Sequence, residues 1–393
     1  MYFGLCAGVL PLVKGVLLVS ARSKIIVAGC VCIDISPEFR CGRVAEIGDL
    51  LKPGKLIEAG KATISPGGAV SNTGLALKAL GEDVVLMARI GDDLLGDTLS
   101  GILSKYGVND LMIRASGEDT AYSVVLAVPG IDRIFIHNSG ANHTFCADDV
   151  PQAGLEDAAI FHFGYPPLMR TMYTDGGAEL VKVMTKAKDA GCITSLDMAM
   201  ADPESEAGQI DWPSILKKVL PLTDIFVPSF EELMFMLDRA GYDRLKAEAG
   251  NGDITDIIDL DRDIKPLADK CMAMGTKVLL LKCGVPGLYL RTADKDSLTA
   301  IAEMTGIDAA EWIGKDVFER SYVAERVVSA TGAGDTSIAG FLAGMLHGES
   351  AEDCLHIAAA AGALSVTEFA AVSALMPLAD IKAKIKAGWD KIG

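Results

Sequence analysis

No lysine- and arginine-rich run occurs in this chain, and no apolar stretch in it reaches the length of a membrane span. The charge balance reinforces the first absence: 36 Lys+Arg stand against 53 Asp+Glu, a net charge of −17. Such a field repels nucleic acid and anionic bilayers, so neither is an expected partner. The second absence excludes a membrane-spanning helix, which needs about 18 or more apolar residues in succession. Cys-x-x-Cys pairs are also missing, although there are 9 cysteines, at positions 6, 30, 32, 41, 146, 192, 271, 283 and 354. An odd, scattered set in a chain of this size reads as reduced thiols packed as small hydrophobes, which points to the cytoplasm. His137, His143 and His162 lack metal-ligand spacing. Asp253, Asp256, Asp259, Asp261 and Asp263 lack the central glycine of a calcium loop and read as a solvated acidic face.

What is present suffices for a large core. Half of the 393 residues are hydrophobic and 23% are charged, the balance of a globular α/β domain with an appendage. Residues 1–22 are apolar but interrupted by Lys14, with no early positive charge. They read as an N-terminal extension and not as a signal peptide, and folding is expected to begin at Ser23.

Lys24-Ile-Ile-Val-Ala-Gly-Cys-Val-Cys-Ile33 is a continuous apolar run suited to a strand buried on both faces. Similar runs recur at 84–88, 159–163, 192–196, 224–227 and 277–282. Helical periods lie between and after them, at 70–80, 94–106, 177–190, 230–239, 265–274, 336–347, 351–369 and 378–389. Strands alternating with helices predict a doubly wound, mostly parallel sheet with helices on both faces. Two segments break the alternation. Residues 35–65 are rich in glycine and proline, and two β runs over 120–138 flank a Pro-Gly-Ile-Asp turn, the pattern of a hairpin. Together they predict a small β-sheet lid of residues 35–65 and 113–142. The α/β core is then 23–34, 66–112 and 143–393. Residues 241–263 and 294–320 read as solvated, loop-rich insertions. Ligands of such folds lie outside the carboxyl ends of the strands, under a flap of this kind.

The strongest chemical signal is Ser329-Ala-Thr-Gly-Ala-Gly-Asp335, a glycine turn running into an amphipathic helix. Successive N–H groups of Gly332, Ala333 and Gly334, added to a helix N-terminus, form an anion hole. Asp335 stands in the first helical turn, where its carboxylate is stabilised and can accept a proton from an attacking hydroxyl. The same residues could equally be an N-cap and a turn. No Gly-Lys-Ser/Thr follows, so the turn is not a Walker A loop. An early Gly-x-Gly-x-x-Gly is missing, which sets aside a nicotinamide-linked oxidoreductase.

A second glycine site, Ser65-Pro-Gly-Gly-Ala-Val-Ser-Asn-Thr-Gly74, opens a helix, and Arg89-Ile-Gly-Asp-Asp-Leu-Leu-Gly96 follows the next strand. In order and spacing the two glycine sites resemble the signatures of the ribokinase-like, or phosphofructokinase-B, carbohydrate kinases, which include ribokinases and fructokinases. The likeness runs from about Ser23 to Leu378. It implies an ATP-dependent transfer of the γ-phosphate of MgATP to a sugar hydroxyl. Asp335 matches the catalytic base, and Gly332, Ala333 and Gly334 the anion hole. Asp34, Gly67, Gly68, Asn72 and Asn142 match substrate-binding positions. Ser229, Glu232, Lys282, Gly284 and Gly287 match the nucleotide side, with Glu232 organising Mg²⁺ through water. A nucleoside kinase of the same family, or a non-catalytic sugar- or nucleotide-binding regulator, is the alternative. The resemblance also implies a homodimer through the lid. Four departures stand out: Ser229 for an asparagine, Ala69 for a lysine, Ser329 for an aspartate near a monovalent-cation site, and Glu368 near an expected arginine. The last two leave dependence on K⁺ open.

Overall fold

Gly29 decides where the first strand ends. Its φ of +123° lies in the region that favours glycine, and a Cβ there would collide with the carbonyl oxygen of Gly164. The continuous run 24–33 is therefore not one strand. It breaks into Lys24–Gly29 and Cys32–Phe39, which enter different sheets. Asn142 clamps the crossing point: its Oδ1 accepts from Val31 N–H at 3.2 Å and its Nδ2 donates to Val31 C=O at 2.9 Å. Gly29→Ala should lower unfolding free energy by roughly 2–3 kcal/mol, from left-handed strain added to the clash. Urea denaturation of the variant would show it as a lower midpoint.

The computed structural model describes residues 22–131, 133–370 and 372–393. The expectations for residues 1–21, Cys6 included, lie outside the described residues. In chain order the described strands are β1 Lys24–Gly29, β2 Cys32–Phe39, β3 Ala59–Gly67, β4 Val84–Gly91, β5 Asn109–Ala115, β6 Tyr122–Leu126 and β7 Ile134–Asn138. They continue as β8 Ala158–Gly164, β9 Ile193–Leu196, β10 Ile225–Phe226, β11 Val278–Lys282, β12 Gly287–Thr292 and β13 Asp316–Arg320. Nine of them form one sheet in the order β13-β12-β11-β10-β9-β8-β1-β4-β5. All neighbours from β5 to β11 pair in parallel, and β12 and β13 close the edge antiparallel. The other four form a small sheet in the order β3-β2-β6-β7, with β6 and β7 the expected hairpin.

Alternate residues of each central strand feed two apolar clusters. Ile25, Val27, Leu86 and Leu280 pack with helices Gly68–Leu80, Ala333–Leu346 and Ala351–Ser365. Ile26, Ala28, Met87 and Leu279 pack on the opposite face with helices Ala178–Asp189, Phe230–Leu237 and Lys265–Ala273. Burial on both faces is why the strands read as unbroken apolar runs and not as alternating ones.

Two boundaries and two insertions differ from the sequence expectation. Cys32 to Asp34 belong to the small sheet, and Ile113 to Ala115 belong to β5 of the large one. Residues 294–320 are not a solvated insertion. They form helix Lys295–Thr305 and strand β13, and Leu298, Ile301, Ile307 and Trp312 are buried in the core. Their acidic surface concealed an amphipathic period. Residues 241–263 lie partly in helix Arg239–Ala249, which buries Tyr242 and Leu245. Asp263 is buried there beneath Arg244 and Arg262, which pair with it at 2.9 and 2.8 Å. No helix among the described residues is long and apolar enough to cross a membrane.

Candidate active site

The carboxyl ends of β1, β8, β9 and β11 converge on the N-termini of helices Gly68–Leu80 and Ala333–Leu346. Asp335, the third residue of the second helix, is 2% exposed. Its carboxylate accepts from Asn72 Nδ2 at 2.9 Å and from Thr73 Oγ1 at 3.3 Å, both on helix Gly68–Leu80. The hydroxyl of Tyr165, just past the end of β8, donates to both oxygens at 2.9 and 2.8 Å. Burial pushes the Asp335 carboxyl above the usual range, opposed by Lys282 and by these hydrogen-bond donors.

Gly332 caps the helix with a φ of +76°. Ala333 N–H turns back to Ala330 C=O at 3.3 Å, a long bond that already occupies one donor of the expected anion hole. Lys282, the last residue of β11, lies along Gly334 and donates to Asp197 Oδ1 at 2.6 Å. Burial alone would depress the Lys282 ammonium, but Asp197, Glu232 and Asp335 outweigh it and the net direction is upward. Burial likewise pushes Asp197 up, with Lys282 opposing. The second carboxylate oxygen of Asp197 is buried without a partner among the described residues, an acceptor left unsatisfied beside the Lys282 pair. The sequence offered no signal for Asp197 beyond its place one residue after β9.

Ser229 and Glu232 form a reciprocal cap: Ser229 N–H donates to Glu232 Oε2 at 2.7 Å, and Glu232 N–H to Ser229 Oγ at 3.2 Å. Ser229 also bridges Lys282 in register, which holds Glu232 beside the Lys282–Asp197 pair. Gly284 and Gly287 shape the turn into β12. A Cβ on the first would meet Thr255 Oγ1 at 2.6 Å, and one on the second would collide with Glu319 C=O. Both glycines are thus required by packing, whatever else they meet.

On the other side, Asp34 sits so close to Gly67 that any Cβ there would overlap the carboxylate. Cys32 Sγ lies 3.5 Å from Asp34, and Ser123 pairs in register with both Asp34 and His137. Cys32, Asp34, Ser123 and His137 therefore share one polar face of the small sheet, on which the Asp34 carboxylate lies over Gly67. Asn142 is fully buried and its amide is used by Cys30 and Val31. It shapes the chain under the site and offers no open surface. Ala69 is buried against Gly164, so this chain has no room there for a lysine. Ser329 accepts from Thr331 N–H at 3.2 Å and from Arg133 Nη1 at 3.4 Å, which ties the β6–β7 hairpin to the loop before Gly332. Glu368 pairs with Arg326.

Residues 28–377 match the pfkB family of carbohydrate kinases. The chain belongs to that family. Among its curated relatives is the ribokinase of Arabidopsis thaliana, 26% identical over 325 residues, 82% of this chain and 72% of the relative. The fold is also that of solved ribokinase and nucleoside kinase structures. Arabidopsis thaliana ribokinase complexed with ribose and ATP superposes with a TM-score of 0.66 at 22% identity, covering 93% of this chain and 99% of that one. The Methanocaldococcus jannaschii nucleoside kinase does so with a TM-score of 0.63 at 18% identity, covering 93% and 98%. Both sugar and nucleoside kinases therefore share this architecture, and the choice between them rests on side chains.

Proposed function

We propose that this pfkB-family chain phosphorylates a hydroxyl of a sugar or sugar-like polyol with MgATP, and that Asp335 is the general base. The observation that carries the proposal is the placement of one buried carboxylate at the N-terminus of helix Ala333–Leu346, between Asn72 and the Lys282–Asp197 pair. The acceptor hydroxyl gives its proton to Asp335 as its oxygen forms a bond to the γ-phosphorus. The bond from that phosphorus to the β–γ bridging oxygen breaks, and its electron pair leaves with ADP. The positive end of the helix and the free N–H groups at Gly332 and Gly334 steady the charge on the transferred phosphoryl. Lys282 adds a cation along Gly334.

The residues present also fit a magnesium ion. Among the described residues no three His, Cys, Asp or Glu side chains converge to hold a metal. Mg²⁺ is commonly bound by one or two carboxylates, waters and substrate phosphates. Glu232 and the unpartnered oxygen of Asp197 would hold its waters. When bound, the ion neutralises charge on the β- and γ-phosphates.

The sugar reading is favoured over the nucleoside one by the polar face that carries Asp34 over Gly67. Asp34 offers hydrogen bonds to hydroxyls beside the Ser123–His137 pair, which is joined at 3.0 Å, and the small sheet would act as the lid that excludes water. Of the three aromatics suited to sandwiching a base, Tyr122 packs against the core and the Tyr165 hydroxyl is held by Asp335, which leaves Phe135 alone exposed on β7. An ADP-release screen over sugars, sugar acids and nucleosides tests the reading. A sugar or sugar acid should give the highest turnover. Exclusive turnover of nucleosides would overturn the substrate class. Tight sugar binding without any ADP formation would instead mark a non-catalytic regulator.

A further inference from the structure

We propose that Tyr165 is a positioning residue whose phenol holds and aims the Asp335 carboxylate for proton acceptance. The inference rests on the reading of Asp335 as the base. A carboxylate offers about four lone-pair sites, and here four contacts from three donors fill them. Asn72 and Thr73 approach from helix Gly68–Leu80. Tyr165 approaches from the end of β8, so the carboxylate is gripped from two elements. One O–H cannot donate fully to two oxygens. An arriving substrate hydroxyl takes over one branch of that shared bond, and Tyr165 keeps the other.

The backbone supports the assignment independently. Tyr165 adopts φ 65° and ψ 45°, one of two non-glycine residues with positive φ among the described residues. Such a conformation persists only where the surroundings enforce it. They do so here: Gly164 is wedged against Ala69 on one side, and Pro166 and Pro167 follow on the other. The strain directs the phenol onto Asp335.

The charged and titratable groups around Asp335 are Lys282 from the end of β11, Asp197 after β9, Cys30 after β1 and Tyr165 itself. Burial and the negative charge of Asp335 push the Tyr165 phenol well above its usual range, so it remains a donor wherever the base is ionised. A donor to a carboxylate favours the ionised form, so removing it raises the pH at which the base becomes active.

Tyr165→Phe keeps the ring and removes only the donor. Turnover should fall about tenfold with KM changed less than about twofold. The acid limb of the pH profile should move upward by about one unit. Activity is read with the acceptor that ranks first in the ADP-release screen. A readout that needs no acceptor accompanies it. A carboxyl whose folded pKa rises gives up stability as pH rises. The deficit in thermal midpoint of Tyr165→Phe should therefore grow as pH rises above the ordinary carboxyl range and vanish in an Asp335→Asn background. A pH-independent deficit with an unmoved acid limb would reduce Tyr165 to packing and overturn the inference. Higher turnover with lower KM would overturn it as well, because Tyr165 would then be a plug that substrate displaces. If Asp335→Asn is inactive while Tyr165→Phe matches the wild type, only the positioning role fails. If Asp335→Asn itself turns over normally, the base assignment fails first.

Discussion

Replacing Asp335 with asparagine is expected to lower turnover by about 10²–10⁴-fold, the range for loss of a general base. The side chain keeps its shape, so the fold should survive. One amide nitrogen would face a donor, Asn72 or Tyr165, where an oxygen now accepts. An unmet donor of that kind costs roughly 1–3 kcal/mol. Relief from burying a charge offsets part of it, because burial already disfavours the ionised carboxylate. ATP binding should persist, since the nucleotide side of the site is built from other residues. ADP release, a thermal melt and ATP calorimetry on the same preparation separate these effects. Wild-type turnover by a folded variant would remove Asp335 from the mechanism.

Lys282→Met should be the most destabilising single change at the site. Lys282 is the ion-pair partner of Asp197, whose side chain is 1% exposed and whose second oxygen is unpaired. Removing one partner of a buried pair costs about 3–5 kcal/mol, because the other charge is left in a poor solvent. The sign with pH follows from Asp197. Its carboxyl is already raised by burial, and loss of the ammonium raises it further. A carboxyl raised in the folded state contributes stability below its unfolded value, and that stability is lost as pH rises. The deficit of Lys282→Met should therefore widen as pH rises above the ordinary carboxyl range toward neutrality. Denaturant midpoints at several pH values measure it. Lys282→Met combined with Asp197→Leu should recover much of the stability but none of the activity. A stability deficit that does not change with pH would show that Asp197 is not the group left stranded.

Much of the site was legible because its backbone parts are local. Gly332, Gly334 and Asp335 lie within four residues, as do Ser229 and Glu232, and their turn and cap chemistry follows from adjacent residue types. The polar face of the small sheet was less legible. Asp34 was assigned through family resemblance, while Ser123 and His137 join it only through strand register. Tyr165 was not legible as part of the site, because an aromatic after a strand end carries no mark of what its hydroxyl will meet.

By itself the sequence determined the alternation of strands and helices, the two glycine turns and the position of Asp335 at a helix start. Each depends on residue spacing within a dozen positions, where side-chain period and backbone sterics act directly. Only the tertiary structure decided that the first apolar run divides at Gly29, that 294–320 closes the sheet, and which groups surround the base. Tyr165 reaches Asp335 across 170 residues, Asn72 across 263, and Lys282 reaches Asp197 across 85. Such pairs exist because sheet order places distant strand ends side by side. That order is set by packing the whole chain and by no single segment of it.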